Sequence, residues 1–380
     1  MKLPFDFGIK LLFRLLLPGF MLTAGLSPLS FFIFDWINWP ASHVYFLIFA
    51  IIVSGWFILV LDMPIYMAFE GRRYWPRRLR SWLIDREHKR LAKLRERTAM
   101  SVLNEIEKGE KQIETEQDVD KRKKLQQALD AADNDLIEAY FDIRNFRIDD
   151  KGNHSAKFPT RLGNLIDAYE HYPERVYGME SVFYWPRLWL KLDSDVKEDI
   201  DGRQAIADST VYVSSACFFN GAVWLVFTLL YGLNALVLRL NGAPLLTPRH
   251  TLFEHLPRWW ASLLIMSGFV LAGFLLYRTS LRLHAQFGEI FKSVFDVFHG
   301  QITVSRVVGN VADYANDYSF VALPEKQRLE VAWRYLQFGL ILCPRTGCRE
   351  RIALAQMREH LKSHTIPTEM IKNDGNQDSN

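Results

Sequence analysis

Four residues near the C-terminus have the types and the spacing for metal chemistry. Cys343, Cys348, His360 and His364 read as Cys-x4-Cys-x11-His-x3-His. Thiolate sulfur and imidazole nitrogen are the donors that zinc takes, four at a time in a tetrahedron. Gly347 allows a tight turn between the thiols, and two histidines four apart share one face of a helix. Ile352, Met357 and Leu361 could form a small core beneath the metal. Four protein ligands leave no open position, so the expected zinc is structural rather than catalytic. The competing reading is two reduced thiols and two surface imidazoles. A second kind of chemistry sits in the apolar chain. Asp62 ends a full apolar run and precedes Met63-Pro64, and a carboxylate at membrane depth is a functional candidate, for an ion or proton pathway. Against this, its position at the end of the run suits an interfacial residue reached by water. Asn220 and Asn234 are polar groups able to bond across helices.

The cysteine-histidine segment resembles the two-cysteine, two-histidine zinc finger family. The usual inner gap there is about 12 residues; here it is 11, and Ile352 stands where an aromatic is common. The resemblance implies a metal-stabilised module and, in that family, DNA contact. One finger reads only about three base pairs, and Arg345, Arg349, Arg351, Arg358 and Lys362 would bind phosphate without specificity. Contact with a cytosolic protein is the expected use, and nucleic acid is not an expected partner. No Walker loop, Gly-x-Gly-x-x-Gly, His-Glu-x-x-His or Gly-x-Ser-x-Gly is present, so no residue reads as nucleophile or base.

The elements that must position these groups are set by four stretches without a charged side chain: residues 15–34, 44–61, 210–238 and 259–277. About 20 apolar residues of helix cross a bilayer, so four spans in two hairpins are expected and the bilayer is the first partner. The net charge of +3 and ordinary composition average this apolar population with a cytosol-like one rich in charge. Trp36, Trp39, Trp259 and Trp260 suit the headgroup region. The apolar run behind Lys2, Lys10 and Arg14 is longer than a signal core, so a retained first helix is expected, with Pro18 and Pro28 allowing a kink or a re-entrant shape. Lys2, Lys10 and Arg14 precede the first run, Arg72, Arg73, Arg77, Arg78 and Arg80 follow the second, and residues 35–43 carry no Lys or Arg. Cations crowd cytosolic ends, so both termini and the central insert are expected in the cytosol, at a plasma (inner) membrane.

The expected organisation runs as follows. Residues 1–70 form a first transmembrane hairpin and 71–153 a coiled-coil-like helical hairpin, with Leu125, Leu129, Ala132, Leu136, Tyr140 and Ile143 striping one arm, Leu91, Leu94, Val102, Ile106 and Ile113 more loosely the other, and a turn over 114–120. Residues 154–208 are an aromatic and arginine-rich membrane-proximal segment in which Tyr184-Trp185-Pro186-Arg187 echoes Tyr74-Trp75-Pro76-Arg77; this stretch is similar to bacterial multi-pass membrane proteins of no assigned activity. Residues 209–280 form the second transmembrane hairpin and 281–340 amphipathic helices. The zinc-finger-like module covers 341–366, and a disordered tail 367–380. The fold class is all-α. The expected function is a membrane-anchored interaction or sensing protein; the alternative is an oligomeric ion channel or membrane-perturbing effector gated by its cytosolic body.

Overall fold

In the computed structural model the described residues are 11–27, 43–116, 118–149, 151–241, 259–315, 318–342, 351–353 and 356. They are mostly helical. The helices are α1 (Leu12–Gly25), α2 (His43–Val60), α3 (Asp62–Phe69), α4 (Arg77–Arg97), α5 (Met100–Thr115) and α6 (Val119–Ile143). A short hairpin of β1 (Arg147–Ile148) and β2 (His154–Ser155) leads to α7 (Arg161–Tyr177), α8 (Ser181–Trp189), α9 (Ser194–Asn241) and α10 (Trp259–Phe298). Then come α11 (Ser305–Ala315), α12 (Glu325–Phe338) and a hairpin of β3 (Leu340–Leu342) with β4 (Arg351–Ala353). The chain divides into two units, Met1–Ala168 with Ser194–Ile290, and Tyr169–Asp193 with Phe291–Asn380.

Two helical stretches, Ser194–Asn234 and Trp260–Gln301, are long and apolar enough to cross a membrane, or three if α2 and α3 form one broken span. Of the four spans expected, two are therefore shown. At 1.5 Å per residue α1 reaches about 20 Å, short of a hydrocarbon core of about 30 Å; residues 28–34 of that run, with Pro28, lie outside the described residues. Leu12–Leu16 is a π turn and Pro18 falls at the start of the α-helical part, so the wider turn takes up the ring's clash with the preceding carbonyl. The second run is broken: α2 and α3 meet at 61°, because the ring of Pro64 crowds the carbonyl of residue 60.

In the first unit α1 and α2 cross where Gly19 and Gly55 lie. A Cβ on Gly19 would collide with the Ile51 carbonyl, and one on Gly55 with the Leu15 carbonyl; small residues let helices approach where lipid offers no hydrophobic drive. Asn220 Nδ2 donates to the Met21 carbonyl at 2.9 Å and Trp224 Nε1 to that of Gly25 at 2.9 Å. The last carbonyls of α1 are thus satisfied by α9.

The charged insert is a hairpin arm. Asp118 caps α6 by accepting from the amides of Asp120 and Lys121 at 3.0 and 3.3 Å, which turns the chain as expected near 114–120. At the foot Leu91 and Leu94 pack on Ala139, Ile143 and Phe146. The stripe drifts from its expected positions: Leu136, Ala139 and Ile143 are buried, while Tyr140 is exposed.

In the second unit Val308, Val311, Ala312, Ala315, Phe320, Val331 and Ala332 form the core. Tyr184 is buried and donates to the Leu329 carbonyl at 2.8 Å, and Trp185 lies 4.6 Å from the Phe291 ring. Tyr184 is core and Trp185 half-buried, where interfacial anchors were expected. The echoed tetrapeptides also differ: Pro186 is inside α8, whereas Tyr74-Trp75-Pro76 forms a corner ahead of α4.

Candidate functional site

Two helices of the first unit carry the same spacing, Asp62-x3-Tyr66 on α3 and Asp208-x3-Tyr212 on α9. Residues four apart share a helix face. The helices meet head to tail, and each tyrosine reaches the other's carboxylate. Tyr66 Oη donates to Asp208 Oδ1 at 2.5 Å, and Tyr212 Oη donates to Asp62 Oδ1 at 2.6 Å. The two rings meet edge to face, 6.0 Å apart. Arg14 of α1 closes one end, its Nη2 2.7 Å from Asp208 Oδ2. His284 of α10 closes the other, its Nε2 3.1 Å from Tyr66 Oη and its Nδ1 2.8 Å from the Ser280 carbonyl. Asp208 is 7 % exposed and His284 2 %. Leu22, Ile58, Ala216 and Ile65 pack around the tyrosines.

The row holds a countable number of protons. Nδ1 faces a carbonyl and so carries a hydrogen. The two contacts from Asp208 through Tyr66 to His284 Nε2 then need two protons, and the phenol supplies one. The second resides either on Nε2, giving imidazolium beside carboxylate, or on Asp208, giving two neutral groups with the phenol donating to Nε2. The two states differ only by proton shifts along the row. Without that proton, one contact becomes acceptor against acceptor. Such a site can hold or relay a proton, and Arg14 offsets the carboxylate in the ionised state.

Of the residues singled out in the sequence, Asp62 belongs to this row at the α2–α3 break, bonded to Tyr212. Asn220 lies elsewhere, bonding the end of α1. Arg14, Tyr66, Asp208, Tyr212 and His284 were missed, although the matched Asp-x3-Tyr spacings and a histidine three residues before Phe287 on the stripe of α10 were legible. The zinc site is corrected. Among the described residues no group of three or more His, Cys, Asp or Glu could hold a metal ion; Cys343, Cys348, His360 and His364 lie outside them. Four residue types in order, with one gap short and no aromatic at position 352, specify a spacing but not a tetrahedron, and zinc is withdrawn as a cofactor.

No family model matches the chain, and neither a curated protein nor a solved structure is found similar to it, so the likenesses to zinc fingers and to bacterial multi-pass proteins are withdrawn with the metal.

Proposed function

We propose that this chain is a multi-pass protein of the plasma (inner) membrane, with both termini cytosolic, which senses a condition at the membrane and answers through a protein partner of its helical arm. The observation that carries the reading is the buried Asp208–Tyr66–His284 row and its connection to the arm. His284 lies on α10, five residues before Glu289, and Glu289 Oε2 pairs with Arg144 Nη2 at 2.8 Å at the foot of α6. A change of proton occupancy at His284 therefore has a short path, through one helix, to the root of the arm. An exposed pair of this kind contributes little to stability, which suits a contact that must shift.

Hydrogen exchange of α5 and α6 in the full-length protein in lipid nanodiscs tests this. Protection, corrected for intrinsic exchange, is expected to differ between pH 5 and pH 8, and the difference is expected to vanish in His284→Gln. Equal protection at both pH values sinks the sensing role. A conducting oligomer is the second reading, because a buried Asp208, a half-buried Asp62 and a histidine near membrane depth also suit an ion path. Ion flux into liposomes, lost on Asp62→Asn, would favour that reading over anchoring.

A further inference from the structure

A cleft of about 540 Å³ opens in the first unit beside the corner of residues 70–76. Its size is that of a site for one small ligand. Its walls are of two kinds. Phe69, Phe218, Phe274 and Leu281 line the apolar part, and Arg86, Arg161 and Arg278 the cationic part, with Glu87 the one acidic residue among the lining. Glu87 is buried; its Oε2 lies 3.6 Å from Arg90 Nη1 and accepts no hydrogen bond from the described residues. Among the described residues none of Arg86, Arg161 and Arg278 forms an ion pair; Arg278 instead lies over the Phe274 ring, 5.0 Å from its centre. Burial, and then the neighbouring Arg90 cation, disfavour the charge on Arg161 and hold its pKa below the ordinary value, against the weaker pull of the Glu87 and Asp142 carboxylates. An anion in the cleft would relieve both effects.

The two kinds of wall are sorted along α10. Phe274, Arg278 and Leu281 share one face, and Arg278 is the first charge after the run 259–277. One helical turn, about 5.4 Å, thus separates aromatic from guanidinium. Phe274 continues an exposed apolar surface with Val270 and Leu271, a surface that faces lipid when α10 crosses a bilayer. The polar wall is stiff. Trp75 Nε1 donates to the Ala68 carbonyl at 2.7 Å. A Cβ on Gly163 would strike the Glu70 carbonyl, so the corner and the start of α7 are in close contact. Tyr74, on the cleft wall, holds φ of 68°, the one non-glycine among the described residues in the left-handed region. Such a conformation costs of order 1 kcal/mol and persists where the surroundings enforce it.

We propose that this cleft binds an anionic phospholipid, its phosphate held between Arg161 and Arg278 and the first part of its acyl chains laid against Phe218 and Phe274. Unpaired guanidinium groups match phosphate oxygens in fork geometry. Continuity with the lipid-facing surface selects a membrane lipid over a free phosphate compound.

Native mass spectrometry of the delipidated full-length protein in detergent tests the site, with phosphatidylglycerol, phosphatidylcholine and glycerol 3-phosphate as probes. One phosphatidylglycerol is expected to be retained at concentrations where the other two are not. R161Q combined with R278Q is expected to weaken it about tenfold, the loss of a charge-assisted contact. Equal retention of phosphatidylcholine would mean that the headgroup charge is not read, and full competition by glycerol 3-phosphate would mean that the chains are not; either overturns the proposal. So does wild-type affinity in the double variant. Should that variant fail to fold, R278Q alone, at an exposed position, decides the matter in the same way.

Discussion

At the scale of residues, the reciprocal Asp-Tyr pairs and the groups that close them make specific demands. Asp208 is almost wholly buried, and among the described residues it forms an ion pair with Arg14, whose side chain is about one-third exposed. Removing Arg14 takes from the buried carboxylate the cation bonded to it directly. Arg14→Met is therefore expected to cost about 3 kcal/mol, the low end for breaking a buried pair. Asp208→Leu added to it should restore most of the loss, because an apolar pair needs no desolvated charge. Unfolding of the two variants in detergent checks this, and a double variant no more stable than the single one would mean that the row is not an ion-pair clamp. A different cluster titrates in the second unit. Tyr172 and Tyr177 both donate to Asp296 Oδ1, at 2.9 and 2.8 Å, and Tyr177 stacks on His299 at 4.3 Å. Burial, and then the Asp296 carboxylate, push the Tyr177 phenol well above its ordinary value, and Tyr172 is raised by the same two causes. The folded form then holds these protons more tightly than the unfolded form. Stability is unaffected below the ordinary tyrosine pKa of about 10 and is lost as pH rises above it. Urea midpoints measured from pH 8 to 11 should fall with pH, and Tyr177→Phe should flatten the fall.

At the scale of elements, the two clear spans and the arm were legible because a charge-free run and an i, i+3, i+4 stripe are local properties of the chain. Leu91, Leu94, Leu136 and Ile143 lie where that stripe puts them. The turn was legible as well, since Asp118 is a capping residue in front of a helix-forming run. Asp118→Ala should cost about 1 kcal/mol, seen as weaker amide protection in the first turn of α6. Three features were not legible, each for a physical reason. The break between α4 and α5 follows Thr98, whose hydroxyl bonds the Leu94 carbonyl at 3.0 Å, and a polar side chain closing a helix looks like any exposed threonine in sequence. The start of α1 is a π turn, which has no sequence period of its own. The polar row exists only because α3 and α9 pack against each other, and no pattern within one segment reports a partner 142 residues away. The crossing of α1 and α2 is more readable: glycines at 19 and 55 are the small residues such a crossing needs. Gly55→Leu should force the two helices apart, lowering the thermal midpoint in detergent by several degrees, as overpacking of about 1–3 kcal/mol does.

At the scale of the molecule, the contacts of the first unit fix how its apolar helices run without reference to charge bias. Arg14 and Asp62 both meet α9 near the start of its charge-free run, at Asp208 and Tyr212. Gly25 meets α9 further along, at Trp224. The α1–α2 pair therefore goes in and comes back at the same end of α9, whether or not α1 crosses completely. The helix α10 returns along α9, since Ser214 donates to the Gly273 carbonyl at 2.8 Å and His284 lies by the Asp208 end of the row. Arg14, the root of the arm and residues 284–290 of α10 thus gather at one end of these helices, which is also the end where arginines cluster. Cations are retained on the cytosolic face, so that end is expected in the cytosol and the 242–258 link beyond the far side. Single cysteines replacing Lys111 and Arg282 should react with a membrane-impermeant maleimide only after the cell is opened, while one in the link should react in intact cells. If the link and Lys111 label from the same side, α9 and α10 do not cross the bilayer. The lipid-facing surface that continues the arginine cleft would then be exposed to water, and the membrane reading of the chain would fail with it.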